Sequence, residues 1–308
     1  MKFFVSIVLL LLTLSVSAAE LDRSNFDPDD GFVLTSTENE LSITWNSSAG
    51  ESYIEFQVIP QRGNSAAGPL IKEIGIDGTP SVAGVDPHYL FYVGQRDLQL
   101  RDLDDGWMIF FDRVHRRPYS VEKGVLTPET ITVTSTGSRA TFEFDGLESP
   151  NFSGSLAFIL YHDSPFIHME ARVSTERPAT AFLYHVGLAK PDTQGYELHW
   201  NDALGVPQTS TIDASTARVY QTRYRSIALS SDAGSLAISP FPHQYLYPLD
   251  FADNYGYNWA GMEYLDMVEG FAFGVRQPPM GDRRFVPWVN AEPGSEQKLG
   301  VLLFPSSA

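Results

Sequence analysis

Between Ser239 and Gly261 the chain gathers Phe241, Tyr245, Tyr247, Phe251, Tyr255, Tyr257 and Trp259 among His243, Gln244, Asp250, Asp253, Asn254 and Asn258. Flat aromatic faces beside amides, carboxylates and hydroxyls suit a sugar ring, which has apolar C–H faces and a polar rim. His243 and Tyr245 are the candidate proton-transfer groups. A lyase acting on a uronate needs such a base near the C5 proton, and a cation to hold the carboxylate as charge builds. A glycosidase would instead need two positioned carboxylates, for which Asp250 and Asp253 are available. Tyr255, Tyr257 and Trp259 are the candidate substrate-binding faces. The competing reading is that these aromatics plug one end of the fold as core.

The cation has two candidate sources. Arg113, His115, Arg116, Arg117 and Tyr119 follow the apolar strand Gly106–Phe111, and alternation puts Arg113 and His115 on one face. Arg276 lies near Arg283 and Arg284 in a second group. Guanidinium groups grip carboxylate or sulfate bidentately, so both groups could receive an anionic sugar. Ion pairing with the abundant Asp and Glu is the simpler alternative.

A further candidate pair, His168 and His185, depends on the elements that carry it. The segments 166–173 and 180–188 both alternate apolar and polar residues. A hairpin with Glu176-Arg177 as its loop sets Ile167 against Val186, Met169 against Tyr184 and Ala171 against Phe182. Its other face then places His168 beside His185, with Glu170 and Arg172 further along. Two imidazoles so placed could share a proton, or with Glu170 bind a metal. Otherwise they are solvated histidines on a polar sheet face.

The positioning elements are strands almost throughout. Leu41, Ile43 and Trp45 alternate with polar residues, and so do Ile54, Phe56 and Val58. A turn at Thr136-Gly137 puts Ile131 opposite Phe142 and Val133 opposite Ala140. A turn at Asp232-Ala233 puts Ile227 opposite Ile238 and Leu229 opposite Leu236. Roughly sixteen to eighteen strands are expected, and no helical stripe of useful length appears. The expected fold is all-β, one large antiparallel β-sandwich over residues 19–308. Lys190–Thr193 is a weak boundary within it.

Several chemistries are excluded by motif. There is no Gly-x-Ser-x-Gly, no His-Glu-x-x-His, no phosphate-binding glycine loop before a helix, and no cysteine. No metal site and no cofactor are expected. Asp102-Leu-Asp-Asp-Gly106 opens like a calcium loop but fails the EF-hand spacing. A calcium ion held elsewhere is the one alternative kept open.

Residues 1–18 read as a cleaved signal peptide: Lys2, an apolar run from Phe3 to Leu14, then Val16-Ser17-Ala18. That run is short of the roughly 20 residues that span a bilayer, and no membrane insertion is expected. An exported chain without cysteine points to a bacterial source and a periplasmic or secreted location. The net charge of −17 disfavours nucleic acid and anionic lipid as partners.

The succession of antiparallel strands, with a sheet face bearing His168, His185 and Arg172, resembles the galactose-mutarotase-like supersandwich. That resemblance implies a carbohydrate-processing or carbohydrate-binding role. It maps no epimerase catalytic residue onto this chain. Tyr224-Arg-Ser-Ile-Ala228, Pro242-His-Gln-Tyr-Leu-Tyr-Pro248, Asn290-Ala-Glu-Pro-Gly294 and Gln297-Lys-Leu-Gly300 look like segments of a β-rich N-terminal region of large secreted bacterial multidomain proteins. This second resemblance implies a missing C-terminal catalytic domain of metal-dependent hydrolase type.

The expected protein is an exported bacterial β-sandwich that engages carbohydrate, with an anionic sugar as ligand. If it turns over substrate, a polysaccharide lyase or glycoside hydrolase is expected. A non-catalytic carbohydrate-binding or scaffolding module of a larger enzyme is the alternative, and a structural cell-envelope protein is the third reading.

Overall fold

Strands dominate the computed structural model, which describes residues 19–58, 68–101, 112–190, 192–241, 255–280 and 288–308. They form two antiparallel-dominated sheets of eleven strands each, packed face to face. The first sheet starts at Glu20–Asn25, which pairs in parallel with Thr130–Thr136. It continues through Arg139–Glu148, Ser153–Tyr161, Ile167–Ser174, Gln297–Ser307, Gly234–Pro240, Ile227–Ser230 and Glu197–Asn201, and ends at Pro207–Thr211. The second sheet runs from Arg218–Tyr220 through Asn258–Tyr264, Val268–Val275, Thr180–Ala189, Thr79–Gln95, Ile71–Ile76, Gly50–Gln57 and Glu40–Ser47 to Phe32–Ser36. Among the described residues no helix is long and apolar enough to cross a membrane.

The core is the layer between the sheets. Phe56 of the second sheet is fully buried against Phe142, Phe144 and Phe158 of the first, with ring centroids 5.5, 5.1 and 4.8 Å away. Offset, tilted rings at these distances stabilise beyond their area burial. The Tyr89 hydroxyl donates to the carbonyl of Leu299 across the layer at 2.9 Å, which satisfies a buried phenol.

The hairpin at Asp232 forms as expected, with Ile227 opposite Ile238 and Leu229 opposite Leu236. The one before it does not keep the expected register. Val133 faces Phe142, but Ile131 faces Phe144 and Ala140 faces Ser135. The turn is Gly137-Ser138, because the first loop position takes φ +55, which glycine adopts without strain and threonine does not. A shift of two residues keeps every side chain on its expected face.

The third expected hairpin is replaced by a crossover. Ile167–Ser174 lies in the first sheet, between Ser153–Tyr161 and Gln297–Ser307. Thr180–Ala189 lies in the second, between Thr79–Gln95 and Val268–Val275. Residues 175–179 carry the chain from one sheet to the other, through Pro178 and a left-handed Ala179 at φ +55. The six apolar residues of the expected hairpin, Ile167, Met169, Ala171, Phe182, Tyr184 and Val186, are all buried. They meet across the sandwich rather than side by side in one sheet, and alternation alone cannot tell these arrangements apart.

Candidate functional site

His168 and His185 therefore stand on the outer faces of different sheets and form no joint site. His168 lies over the first sheet with its ring edge-on to Phe241, centroids 4.5 Å apart. Its Nε2 is 3.3 Å from Glu170 Oε2. Arg172 completes a chain of charges, with Nε 3.0 Å from Glu170 and Nη1 2.6 Å from Glu143. Burial on its own would raise the Glu170 carboxyl. Hydrogen bonds from His168 and Arg172, together with their charges, outweigh it and hold the group below its ordinary value. These partners account for both carboxylates, which reads as an ion network tying Arg139–Glu148 to Ile167–Ser174 rather than an open site.

The outer face of the second sheet is different. Six rings follow one another across it. Trp288 packs on Tyr119 at 5.4 Å, Tyr119 on Tyr92 at 5.8 Å and Tyr92 on His185 at 4.6 Å. His185 lies 5.9 Å from Tyr264, which stacks on Trp259 at 3.5 Å with planes 5° apart. Two glycines make room for this stack. Gly187 and Gly274 are cross-strand partners, and a Cβ on either would run into the Trp259 indole or the adjoining backbone. The indole N–H donates to the Val275 carbonyl at 3.2 Å.

His185 is locked in one tautomer. The Gln277 carbonyl can only accept, so Nε2 carries the proton that it receives at 2.9 Å. Nδ1 is then an acceptor, and the Tyr264 hydroxyl donates to it at 3.0 Å. Complete burial, reinforced by the nearby Arg276 charge, pushes the imidazole down to about 3. Burial also holds the Tyr264 phenol far above its ordinary value, although Arg276 opposes this by charge and by a hydrogen bond to the phenol oxygen. His185 and Tyr264 are thus both neutral at physiological pH.

Beside these rings opens a cavity of about 340 Å³, lined by Tyr92, Tyr264, Arg276, Arg218, Glu263 and Asp266 among others. Arg276 is half-buried and anchored, its Nη1 donating to the Gly256 carbonyl at 2.9 Å. Glu263, Leu265 and Asp266 on the rim all have left-handed backbone, with φ of 53, 56 and 57. Such conformations cost a non-glycine residue about 1–2 kcal/mol each, and strain of this kind concentrates at functional sites.

Of the residues singled out in the sequence, His185, Arg276 and Trp259 come together here. Trp259 and Tyr257 are buried, so their faces pack within the protein instead of forming an open platform. Tyr255 is half-buried and holds Arg223, whose Nη1 donates to its hydroxyl at 3.2 Å. Arg113 and His115 do not share a strand face, because Val114–Arg116 is a 3-10 turn. Fully buried Val114 pins that turn, and Arg117 closes it onto Asp112 at 2.6 Å. Neither Arg113 nor His115 lines the cavity. Burial, then the charges of Arg116 and Arg113, lower the His115 pKa.

His243, Tyr245, Asp250, Asp253, Arg283, Arg284, the Asp102–Gly106 stretch, the strand expected at Gly106–Phe111, and residues 1–18 lie outside the described residues. Among the described residues no group of three His, Asp or Glu is disposed to hold a metal ion. Tyr92 and Tyr264 were not legible as site residues. Each looks like one more aromatic in an alternating strand, and only the sheet order places them side by side.

No family model matches the sequence, and no curated protein matches it by sequence. Solved structures do resemble the fold. A variant GH36 α-galactosidase from Geobacillus stearothermophilus, bound to 1-deoxygalactonojirimycin, matches at TM-score 0.42 and 11% identity over 90% of this chain. This chain spans 40% of that enzyme's length. A candidate aldose 1-epimerase from Escherichia coli matches at TM-score 0.38 and 10% identity, covering 90% of this chain and 100% of its own. A candidate mutarotase from Salmonella typhimurium matches at TM-score 0.38 and 10% identity, covering 96% and 98%. Every one of these likenesses has a TM-score below 0.5 and an identity near 10%, so the set places the chain in no family. It assigns no activity and no residue role.

Proposed function

We propose that this protein binds an acidic carbohydrate in the cavity between Tyr92, Tyr264 and Arg276, and that residues 1–18 export it from a bacterial cell to the periplasm or beyond. The observation that carries the reading is the placement of Arg276. A guanidinium anchored by one backbone carbonyl sits among tyrosines in a cavity within the size range of small-molecule sites. A uronate offers the matching chemistry, with a carboxylate for the guanidinium and apolar C–H faces for the rings.

The same geometry favours binding over turnover. A general base works best with a pKa near the working pH. His185 at about 3 and a phenol raised by burial are both far from it. Lyase chemistry stands as a second reading because of the Tyr264–His185 hydrogen bond at 3.0 Å. The phenol oxygen would take the C5 proton of a uronate as its own proton moves to Nδ1. The C4–O4 bond would break as the C4–C5 double bond forms, and the leaving oxygen would take a proton from water.

A panel of neutral and acidic oligosaccharides, followed by calorimetry and by ultraviolet absorbance, tests both readings. Binding of uronates that is lost in Arg276→Gln supports the pocket. Rising absorbance from unsaturated uronate supports the lyase. Binding of neutral sugars alone, or of no sugar, overturns the proposal.

A further inference from the structure

We propose that Pro207–Thr211, the last strand of the first sheet, pairs with the same strand of a second copy of this chain, so that two sandwiches share one continuous sheet about a two-fold axis. The inference uses no residue that lines the sugar pocket.

The neighbours of this strand fix where its backbone groups point. It pairs with Glu197–Asn201 in a register that sets Asn201 against Pro207, His199 against Thr209 and Glu197 against Thr211. Bonded and non-bonded pairs alternate along an antiparallel ladder. At the hairpin end the Asp202 amide donates to the Val206 carbonyl at 2.9 Å. The Asn201 carbonyl turns the other way and accepts from the Arg223 amide at 3.0 Å. Pro207, Thr209 and Thr211 are therefore the non-bonded members, and their N–H and C=O groups point off the sheet edge. All three are exposed, and among the described residues no strand pairs on that side.

An open edge of this kind is a template for another strand. Two features restrict which strand fits. Pro207 has no N–H to donate. The Thr211 carbonyl already accepts from the Ser210 hydroxyl at 3.0 Å. The groups left over are the amides of Thr209 and Thr211 and the carbonyls of Pro207 and Thr209. An identical strand, antiparallel and centred on Thr209, matches that set. The two Thr209 residues exchange both of their bonds, and at each end a Thr211 amide donates to the Pro207 carbonyl of the other copy. The bond that Pro207 cannot give is the one that Thr211 cannot take. The contact is thus self-complementary, as a two-fold interface requires.

Charge favours the same occupant. From Ala203 to Ile212 the chain has no ionisable residue, although its net charge is −17. Asp202, at the base of the hairpin, accepts from the amides of Leu204 and Val206 at 2.9 and 3.0 Å. Two acidic molecules can meet here with little repulsion between the strands. The register also carries Val206, 49% exposed, toward Ile212 of the second copy, next to Leu204 at 88% exposed. The edge strand of the other sheet, Phe32–Ser36, lacks this advantage, since Asp27, Asp29, Asp30, Glu38 and Glu40 flank it closely.

Sedimentation velocity of the full chain, over roughly a hundredfold range of concentration, should show a reversible dimer in the micromolar range, as a small interface gives. Thr209→Pro leaves the ladder to Glu197–Asn201 intact and removes the central amide. It should weaken the dimer at least about tenfold with little change in melting temperature. Thr209→Lys and Thr209→Glu should each be monomeric, because like charges face each other across the axis, and an equal mixture of the two should dimerise again. That mixture serves if the proline variant does not fold. Val33→Lys, at the exposed edge of the other sheet, should leave association unchanged. A peptide with the sequence of residues 205–213 should compete with the dimer. A parent that is monomeric at every concentration overturns the proposal. A dimer that survives Thr209→Pro, or that Val33→Lys abolishes, overturns it too, because the copies then meet elsewhere. Charged variants that stay apart when mixed overturn the register centred on Thr209. A scrambled peptide that competes equally well would show that the edge takes any extended chain, and overturns the choice of occupant.

Discussion

The Tyr264 hydroxyl donates to Nδ1 of His185 at 3.0 Å, while the opposite ring nitrogen is taken by the Gln277 carbonyl. A buried imidazole thus has both nitrogens satisfied in its neutral form, and a proton taken from solvent at Nδ1 would cost it the bond from Tyr264.

This makes His185 a source of acid lability. Its folded pKa of about 3 lies below the unfolded value of 6.5. Between these limits the unfolded chain binds a proton that the folded one excludes, so stability falls as pH drops from 6.5 toward 3. The contribution is at most about 1.4 kcal/mol per pH unit. His185→Gln should be less stable than the parent at pH 8, by about 1–3 kcal/mol, yet lose less on acidification. Urea unfolding at a series of pH values measures both. An equal pH slope in the two proteins would contradict the assignment.

Glu170 acts at lower pH. Its folded pKa lies below the ordinary 4.5, so the stability it contributes is present above that value and is lost as pH falls through the folded one. Glu170→Gln should be destabilised at pH 7, and the difference from the parent should shrink below about pH 4. Thermal unfolding at pH 7 and pH 3.5 shows this directly.

Trp259→Ala should cost about 3–5 kcal/mol, because a fully buried indole over a glycine-floored slot leaves a cavity that strands cannot close. Gly187→Ala should be destabilising for the complementary reason, since its Cβ would occupy the space of the indole. Calorimetric melting measures both. A melting temperature unchanged in Trp259→Ala would place the ring at the surface, contrary to the structure.

Tyr264→Phe keeps the stack on Trp259 but leaves His185 Nδ1 without a donor, an omission worth about 1–3 kcal/mol. It also removes the oxygen that Arg276 meets. Uronate affinity should fall several-fold with only a modest drop in melting temperature. Parent-like affinity would remove Tyr264 from the ligand site.

Much of the fold was readable in the alternation of residues. Ile167, Met169 and Ala171, like Phe182 and Tyr184, are buried as their spacing requires. The hairpin at Asp232 follows from its turn residues and their apolar partners. Period two reveals which face of a strand is covered, but not whether the cover is a neighbour in the same sheet or a strand across the layer. The chain crosses between sheets at residues 175–179, so His168 and His185 separate. Thr180–Ala189 is buried on both faces, so its polar-looking outer positions are not solvent positions at all. Arg276 was legible as a cation near Arg283 and Arg284, and His185 only as the expected neighbour of His168, from which the crossover separates it. Tyr92 and Tyr264 were not legible, because no local pattern marks which tyrosines a sheet will bring together.

The nearly parallel stacking of Trp259 on Tyr264 has an optical consequence. A phenol stacked on an indole at 3.5 Å passes its excitation to it, and anything that polarises the phenol alters the indole's excited state. Trp259 is sealed from water, whereas Tyr264 borders the cavity. The molecule therefore carries a built-in reporter: occupancy beside Tyr264 should change the emission of a tryptophan that no ligand touches.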